Sequence, residues 1–394
     1  LFPKTAQVAK DIENFPTIEQ AKFFTEHIHA RHYIDGEIHI YNLLPDIVKI
    51  KNIRYKNNIF PKNISLNGFN NNQNVPLKLK TEIFGIADKQ IIIETEYKKI
   101  KKDYRIDISL IPGPYFNPLT DIDLTKKPFL DNIDKNEWLI KKGTWEVSRP
   151  LFLNGKVIIE PGTKLNFVKD AYLIIEGEII AIGKGQEKII LDGNNSWKGI
   201  YVIGNGVNES VLQNVEINNT VSLEDGLLHL TGGVNFYNTQ IKIKDTRINR
   251  SKAEDALNIV NSNFRLDNII IENTFSDGFD SDFSNGVIIN SKFYNCGGDA
   301  IDFSGGLVDV YDSSFEAIGD KAVSAGESTN INLQNIYMNN VGVGVASKDG
   351  SNVSAKNLRI LNYKLYPIMT YVKKDFYKPP IMKVTDIEIQ PDIQ

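Results

Sequence analysis

The chain is poor in cysteine, histidine and long apolar runs, and it has no surplus of positive charge. One cysteine, Cys296, in 394 residues excludes an intrachain disulfide framework and a cysteine-based zinc site. Lys and Arg number 45 against 49 Asp and Glu, a formal charge of −4, which leaves no basic face of the kind nucleic acid requires. No apolar run approaches the roughly 18 residues of a membrane span. Of the 5 histidines, His27, His29 and His32 lie close in sequence. On a helix the first and last would stand about 140° apart, so they would not form a shared metal face. The first residue is Leu1, and no basic-then-apolar leader follows it. That reads as a chain processed, truncated or cut from a longer protein, with room for a neighbouring domain ahead of it.

What the chain has is enough apolar sequence for a core, 41% hydrophobic against 24% charged, and a repeat. Segments starting at Asp255, Asp277, Asp299, Lys321 and Val343 follow one another at 22-residue intervals. The next residue is small each time (Ala256, Gly278, Ala300, Ala322, Gly344) and the one after is apolar (Leu257, Phe279, Ile301, Val323, Val345). Each unit carries a second strand-like stretch, and Gly, Asn, Asp and Ser punctuate the turns. A unit this short, with no 3.6-residue stripe, is a coil of two or three strands stacked about 4.8 Å per turn. Phe293, Phe315 and Tyr337 recur at the same interval and suit a stacked core ladder. Upstream the period loosens: Lys198-Gly199-Ile200 and Asp225-Gly226-Leu227 look like earlier unit starts.

The stretches Ile159-Glu160-Pro161-Gly162-Thr163, Leu173 to Gly177 and Trp197-Lys198-Gly199-Ile200 resemble the entry coils of the right-handed parallel β-helix (pectin-lyase-like) superfamily. The resemblance covers about 230 residues and implies an all-β chain whose region 136–394 is a right-handed parallel β-helix with a C-terminal cap. It also implies an extracellular or cell-surface bacterial setting. The superfamily holds lyases, hydrolases, epimerases, adhesins and inert surface proteins, so fold alone names no activity. Residues 1–135 read differently. Thr17-Ile18-Glu19-Gln20 forms a capping box and predicts a helix to about Arg31. Alternating runs from Glu37, Val48, Leu77, Gln90 and Tyr104 predict a small, Ig-like β-sandwich, with a Pro-rich linker from Pro112 to Pro128.

Strand alternation then locates chemistry. With Phe279, Ser281 and Phe283 inward, Asp280 and Asp282 point out; with Ile301 and Phe303 inward, Asp302 points out. The period sets Asp280 beside Asp302, with Asn258 one coil earlier and Ser324 one coil later. Like charges so close require protonation, a basic neighbour or a cation, and calcium suits an oxygen cluster. Asp280, Asp282 and Asp302 are the expected calcium ligands. Asp277, Asp299, Glu327 and Asn258 are the expected substrate contacts at the rim. Similarity to the β-helix lyases implies calcium-assisted β-elimination on an acidic polysaccharide, with Lys321 or Lys348 as a base of lowered pKa and Asp280 and Asp302 in the catalytic set. An inverting glycoside hydrolase using the Asp residues alone, and a non-catalytic adhesin or structural rod, remain beside it. The turn column Asp255, Asp277, Asp299 also suits plain backbone capping, and Lys321 suits a plain ion pair with Asp299.

Overall fold

A computed structural model of the chain describes residues 127–391 except 194–196 and 226–227, and before them 28–33, 37–42, 47–55, 57–67, 77–80, 91–97 and 100–109. The chain divides into two compact units, 1–117 and 118–394.

In the first unit, two four-stranded sheets share one core. One sheet runs Leu77–Lys80, Glu37–Asn42, Ile28–Tyr33, Asp107–Ser109; the other runs Asn58–Leu66, Val48–Tyr55, Ile91–Tyr97, Ile100–Arg105. Ile38, Ile40, Ile50, Ile53 and Ile93 alternate inward from both and are fully buried. The expected helix is not there where it can be tested. Ile28 to Arg31 belong to a strand paired antiparallel with Glu37–Asn42, so sheet pairing overrides the local capping signal. Residues 1–27 lie outside the described residues.

The second unit is a parallel β-solenoid of about ten turns. Each full turn contributes a strand to three sheets. In the first sheet the inward column runs Leu151, Leu173, Ile200, Val234, Leu257, Phe279, Ile301, Val323, Val345. The expected unit starts from Asp255 onward lie in register on this sheet. Asp225 does not: Gly232 stands opposite Asp255, and Leu223–Asp225 with Leu228–Leu230 form an antiparallel hairpin outside the coil. Leu130–Asp134, upstream of the expected boundary at 135, already pairs with the solenoid strand Glu137–Ile140. The last strand, Ile381–Pro391, continues the parallel pairing on Asn352–Tyr371.

The core is built from stacked rings and branched aliphatics. Phe264, Phe279 and Phe303 meet edge to face at 5.3 and 5.8 Å, and Phe293 lies flat on Phe315 at 5.1 Å. The ladder does not continue into Tyr337. Leu307 pairs with Asn330, an interval of 23, so Met338 takes the inner place over Phe315 and Tyr337 turns out beside Ser314. One added residue reverses the faces, as strand alternation requires. Turns between sheets take left-handed backbone, at Asp245, Asn268, Asn290, Asp312, Asn335 and Asn357 for example. Side chains there bond along the axis: Asn268 Nδ2 donates to Asp245 Oδ1 at 2.7 Å and Asn357 Nδ2 to Asn335 Oδ1 at 2.8 Å. Asn is the residue that combines tolerance of that conformation with an amide that can donate to its neighbour.

Candidate functional site

The outward face of the first sheet changes character along the axis. Phe152, Ile174 and Tyr201 come first and are covered by the hairpin, where Leu223 and Leu230 pack on them. Asn235 and Asn258 follow in the same column, then Asp280, Asp302 and Ser324, then Ala346 and Met369. The carboxylates therefore form the floor of a strip that begins where the hairpin ends.

Asp280 and Asp302 are directly paired across adjacent strands, as alternation and the 22-residue period require. Asn258 is 7% exposed, and its amide donates to Asp280 Oδ2 at 3.0 Å and Asp255 Oδ2 at 3.4 Å. It braces two carboxyls and has little surface left for a substrate. Burial, reinforced by the charges of Asp282, Asp255, Asp302 and Asp277, pushes the Asp280 carboxyl up to about 9. Both influences favour the protonated form of this carboxyl. Burial likewise raises Asp255 to about 7 and Asp299 to about 6, and it raises Asp277 and Asp282 as well.

The turn column is a hydrogen-bond ladder. Asp277 Oδ1 accepts the backbone N–H of Asp299 at 2.8 Å, and Asp299 Oδ1 accepts that of Lys321 at 2.8 Å, each one coil on. This is the capping reading of these residues. Lys321 Nζ then lies 3.0 and 3.3 Å from the two oxygens of Asp299 and 2.5 Å from Asp320 Oδ2. Burial alone would lower the lysine, but the Asp299 and Asp320 carboxylates outweigh it and hold the ammonium above the ordinary lysine range. The expected base of lowered pKa is therefore not found at Lys321.

Lys348 does reach the strip. In strand register it is two coils past Asp302, about 10 Å along the axis, and two residues further along the strand, yet its Nζ lies 3.4 Å from Asp302 Oδ1. The side chain runs back over Gly326, where an added Cβ would stand 3.2 Å from Lys348 Cε. Glu327 sits at the rim in an ion pair with Lys374. The segment carrying Lys374 is fixed by Asp349, whose Oδ1 accepts the N–H groups of Lys373 and Lys374 at 2.6 and 2.8 Å.

For a metal, the expected trio of Asp280, Asp282 and Asp302 is not the one that converges. Among the described residues, oxygens of Asp277, Asp299 and Asp302 lie within 4.8 Å of one another. Two of these carboxylates already hold ammonium groups, and Asp277 and Asp299 hold backbone N–H groups. A calcium ion, which takes six to eight oxygens, would have to displace Lys321 and Lys348 from this cluster.

Two exposed rings flank this strip: Phe275, which the sequence did not single out, and Phe283, which alternation placed inward but which is 63% exposed, because the strand ends at Asp282 and Phe283 takes left-handed backbone at the corner. The signal was available: both stand at turn positions where small or polar residues are usual.

The chain is similar to the catalytic domain of a GH87 alpha-1,3-glucanase variant in complex with tetrasaccharides, at 14% identity and a TM-score of 0.31, covering 65% of this chain and 61% of that one. A second variant of that domain, in complex with nigerose, matches at 13% identity and a TM-score of 0.30 with the same coverage. The chain thus spans less than two thirds of those domains. No protein-family model and no curated protein sequence matches it. Among the described residues no helix is long and apolar enough to cross a membrane.

Proposed function

We propose that this solenoid is a polysaccharide-cleaving enzyme that works by carboxyl acid–base chemistry on its first sheet. The observation that carries the reading is Asp280, a half-buried carboxyl set directly beside Asp302 and braced by Asn258, in surroundings of burial and acidic neighbours that raise its pKa and favour the protonated form. A glycosidic oxygen placed over Asp280 would receive that proton as its bond to the anomeric carbon breaks. Asp282 lies two residues along the same strand, roughly 6.6 Å away, within the separation that leaves room for a water between acid and base. It would take a proton from that water as the oxygen bonds to the anomeric carbon, inverting the centre. The ion pair of Asp302 with Lys348 leaves a fixed polar group for the sugar hydroxyls.

Lyase chemistry on an acidic polysaccharide is the second reading, supported by the convergence of Asp277, Asp299 and Asp302 on a point where a cation would bridge to a uronate only after displacing Lys321 and Lys348. The raised Lys321 weighs against a lysine base for it. The secreted or cell-surface setting rests on the family resemblance.

The test is incubation with a panel of neutral and uronate polysaccharides, following reducing ends and the ultraviolet absorbance of unsaturated uronates. Hydrolysis predicts new reducing ends without absorbance, inverted anomers by proton NMR, and at least a hundredfold loss in Asp280→Asn. Absorbance with calcium dependence would replace it by the lyase reading. Binding without any turnover would make the protein an adhesin.

A further inference from the structure

A single exposed phenylalanine needs no explanation. Two on one coil, at the corners on either side of its acidic strand, do. Phe275 is 75% exposed and Phe283 is 63% exposed, and between them lies Asp277–Asp282, the strand that carries Asp280.

The corner at 283 has the same backbone in six successive coils. Asn238, Asn261, Phe283, Gly305, Glu327 and Asp349 all have positive φ, between 47° and 81°. Asn261 and Phe283 hold the place through equivalent bonds: Asn261 N–H donates to Asp282 O, and Phe283 N–H to Ser304 O. Asn and Gly adopt left-handed backbone readily, whereas a bulky aromatic there is an outlier that the backbone disfavours. Phe283 is thus retained against the local preference. It makes no compensating buried contact of the usual kind, since most of its surface faces solvent. The next residue in the column is Gly305, where a Cβ would stand 2.9 Å from Phe283 Cδ1, so the ring lies over bare backbone that leaves room for it.

The opposite corner shows a related pattern. Phe275 is followed at the same place by Gly297, Gly319 and Gly342, all without side chains. The ring therefore stands next to a shallow strip of backbone rather than under a neighbouring side chain. An exposed ring beside open space and a row of hydrogen-bonding carboxyls matches the two faces of a pyranose, one made of C–H groups and the other edged by hydroxyls.

We propose that Phe275 and Phe283 are stacking platforms for two sugar rings of one glycan, which lies along the Asp277–Asp282 strand and across the solenoid axis. The proposal rests on the glycan-cleaving reading above and adds the direction of the chain and the residues that grip it. The charges between the platforms are mainly carboxylates, so the glycan they fit is uncharged over this stretch.

The test uses the whole chain as wild type, Phe275→Ala, Phe283→Asn and the double variant. Affinities would be measured by calorimetry against hexasaccharides of neutral glucans, xylan and mannan and against oligogalacturonate. KM and kcat would be measured on any polymer that is cleaved. Each variant is expected to weaken binding or raise KM about tenfold for a neutral glycan with kcat little changed, and the double variant about a hundredfold. Phe283→Asn is expected to melt no lower than wild type, because Asn suits the left-handed corner; this separates lost grip from lost fold. Wild-type affinity in all three variants would overturn the platforms while leaving the cleavage reading intact. A wild type that neither binds nor cleaves any of the glycans would overturn both.

Discussion

Replacing Asp280 by Asn should make the protein lose less stability than the wild type as pH rises. In the native state the Asp280 carboxyl is pushed up to about 9 by burial and by its acidic neighbours, whereas in an unfolded chain it would ionise near 3.9. Between those values the folded protein holds a proton that the unfolded chain has released. Stability from this group is therefore fully present below about pH 4 and is lost as pH climbs toward about 9, at about 1.4 kcal/mol per unit for a fully protonated group. Asp255 and Asp299, raised to about 7 and about 6, act with the same sign over narrower windows. These groups titrate as a coupled cluster, so the share of Asp280 by pH 7 is on the order of 2–4 kcal/mol. Asn is isosteric and keeps a carbonyl oxygen to accept the Asn258 amide, now 3.0 Å from Asp280 Oδ2. It also stays neutral. Thermal unfolding from pH 5 to 9 should show the wild type losing several degrees and Asp280→Asn staying flatter, with the two curves nearest each other at pH 5. A wild type that gains stability over this range, or a variant that follows the wild-type slope, would refute the reasoning.

Three further outcomes follow from the same geometry. Lys321→Met strips the cation from the buried Asp299 carboxylate and should destabilise the solenoid by about 3–5 kcal/mol, most severely above pH 7, as denaturant titration would show. Gly326→Ala places a methyl group against Lys348 Cε and should move the ammonium off Asp302, reducing any glycan turnover with little change in melting temperature. Phe303→Ala opens a hole between Phe279 and the next coil and should lower stability by about 3–5 kcal/mol without altering the pH profile.

Much of this was legible because a solenoid coil repeats. The interval of 22 residues puts Asp280 beside Asp302, and alternation turns both outward, with no knowledge of distant contacts needed. Legibility fails where one residue is added or a loop intrudes. The longer coil before Asn330 turned Tyr337 outward, and the inserted hairpin offered Asp225-Gly226-Leu227 as a false repeat while Gly232-Gly233-Val234 held the true place. The helix expected to reach Arg31 rested on a local capping signal, which cannot weigh the pairing of Ile28–Tyr33 with a later strand. The lysines were hardest. Their reach depends on a flexible stem and, for Lys348, on an absent side chain at Gly326, while the pKa of Lys321 depends on which carboxylates close around it. Spacing indicates proximity, but it does not fix which charge wins.

The most direct test of the central claim is the ionisation of Asp280 itself. Infrared difference spectra of protein labelled with carbon-13 at aspartate carboxyls, wild type against Asp280→Asn, isolate its carbonyl band across pH 4 to 11. A protonated-carboxyl band present at pH 7 and lost near pH 9 is the predicted result. A band that disappears below pH 5 would mean that Asp280 is an ordinary carboxylate, and the acid assigned to the cleavage step would be gone.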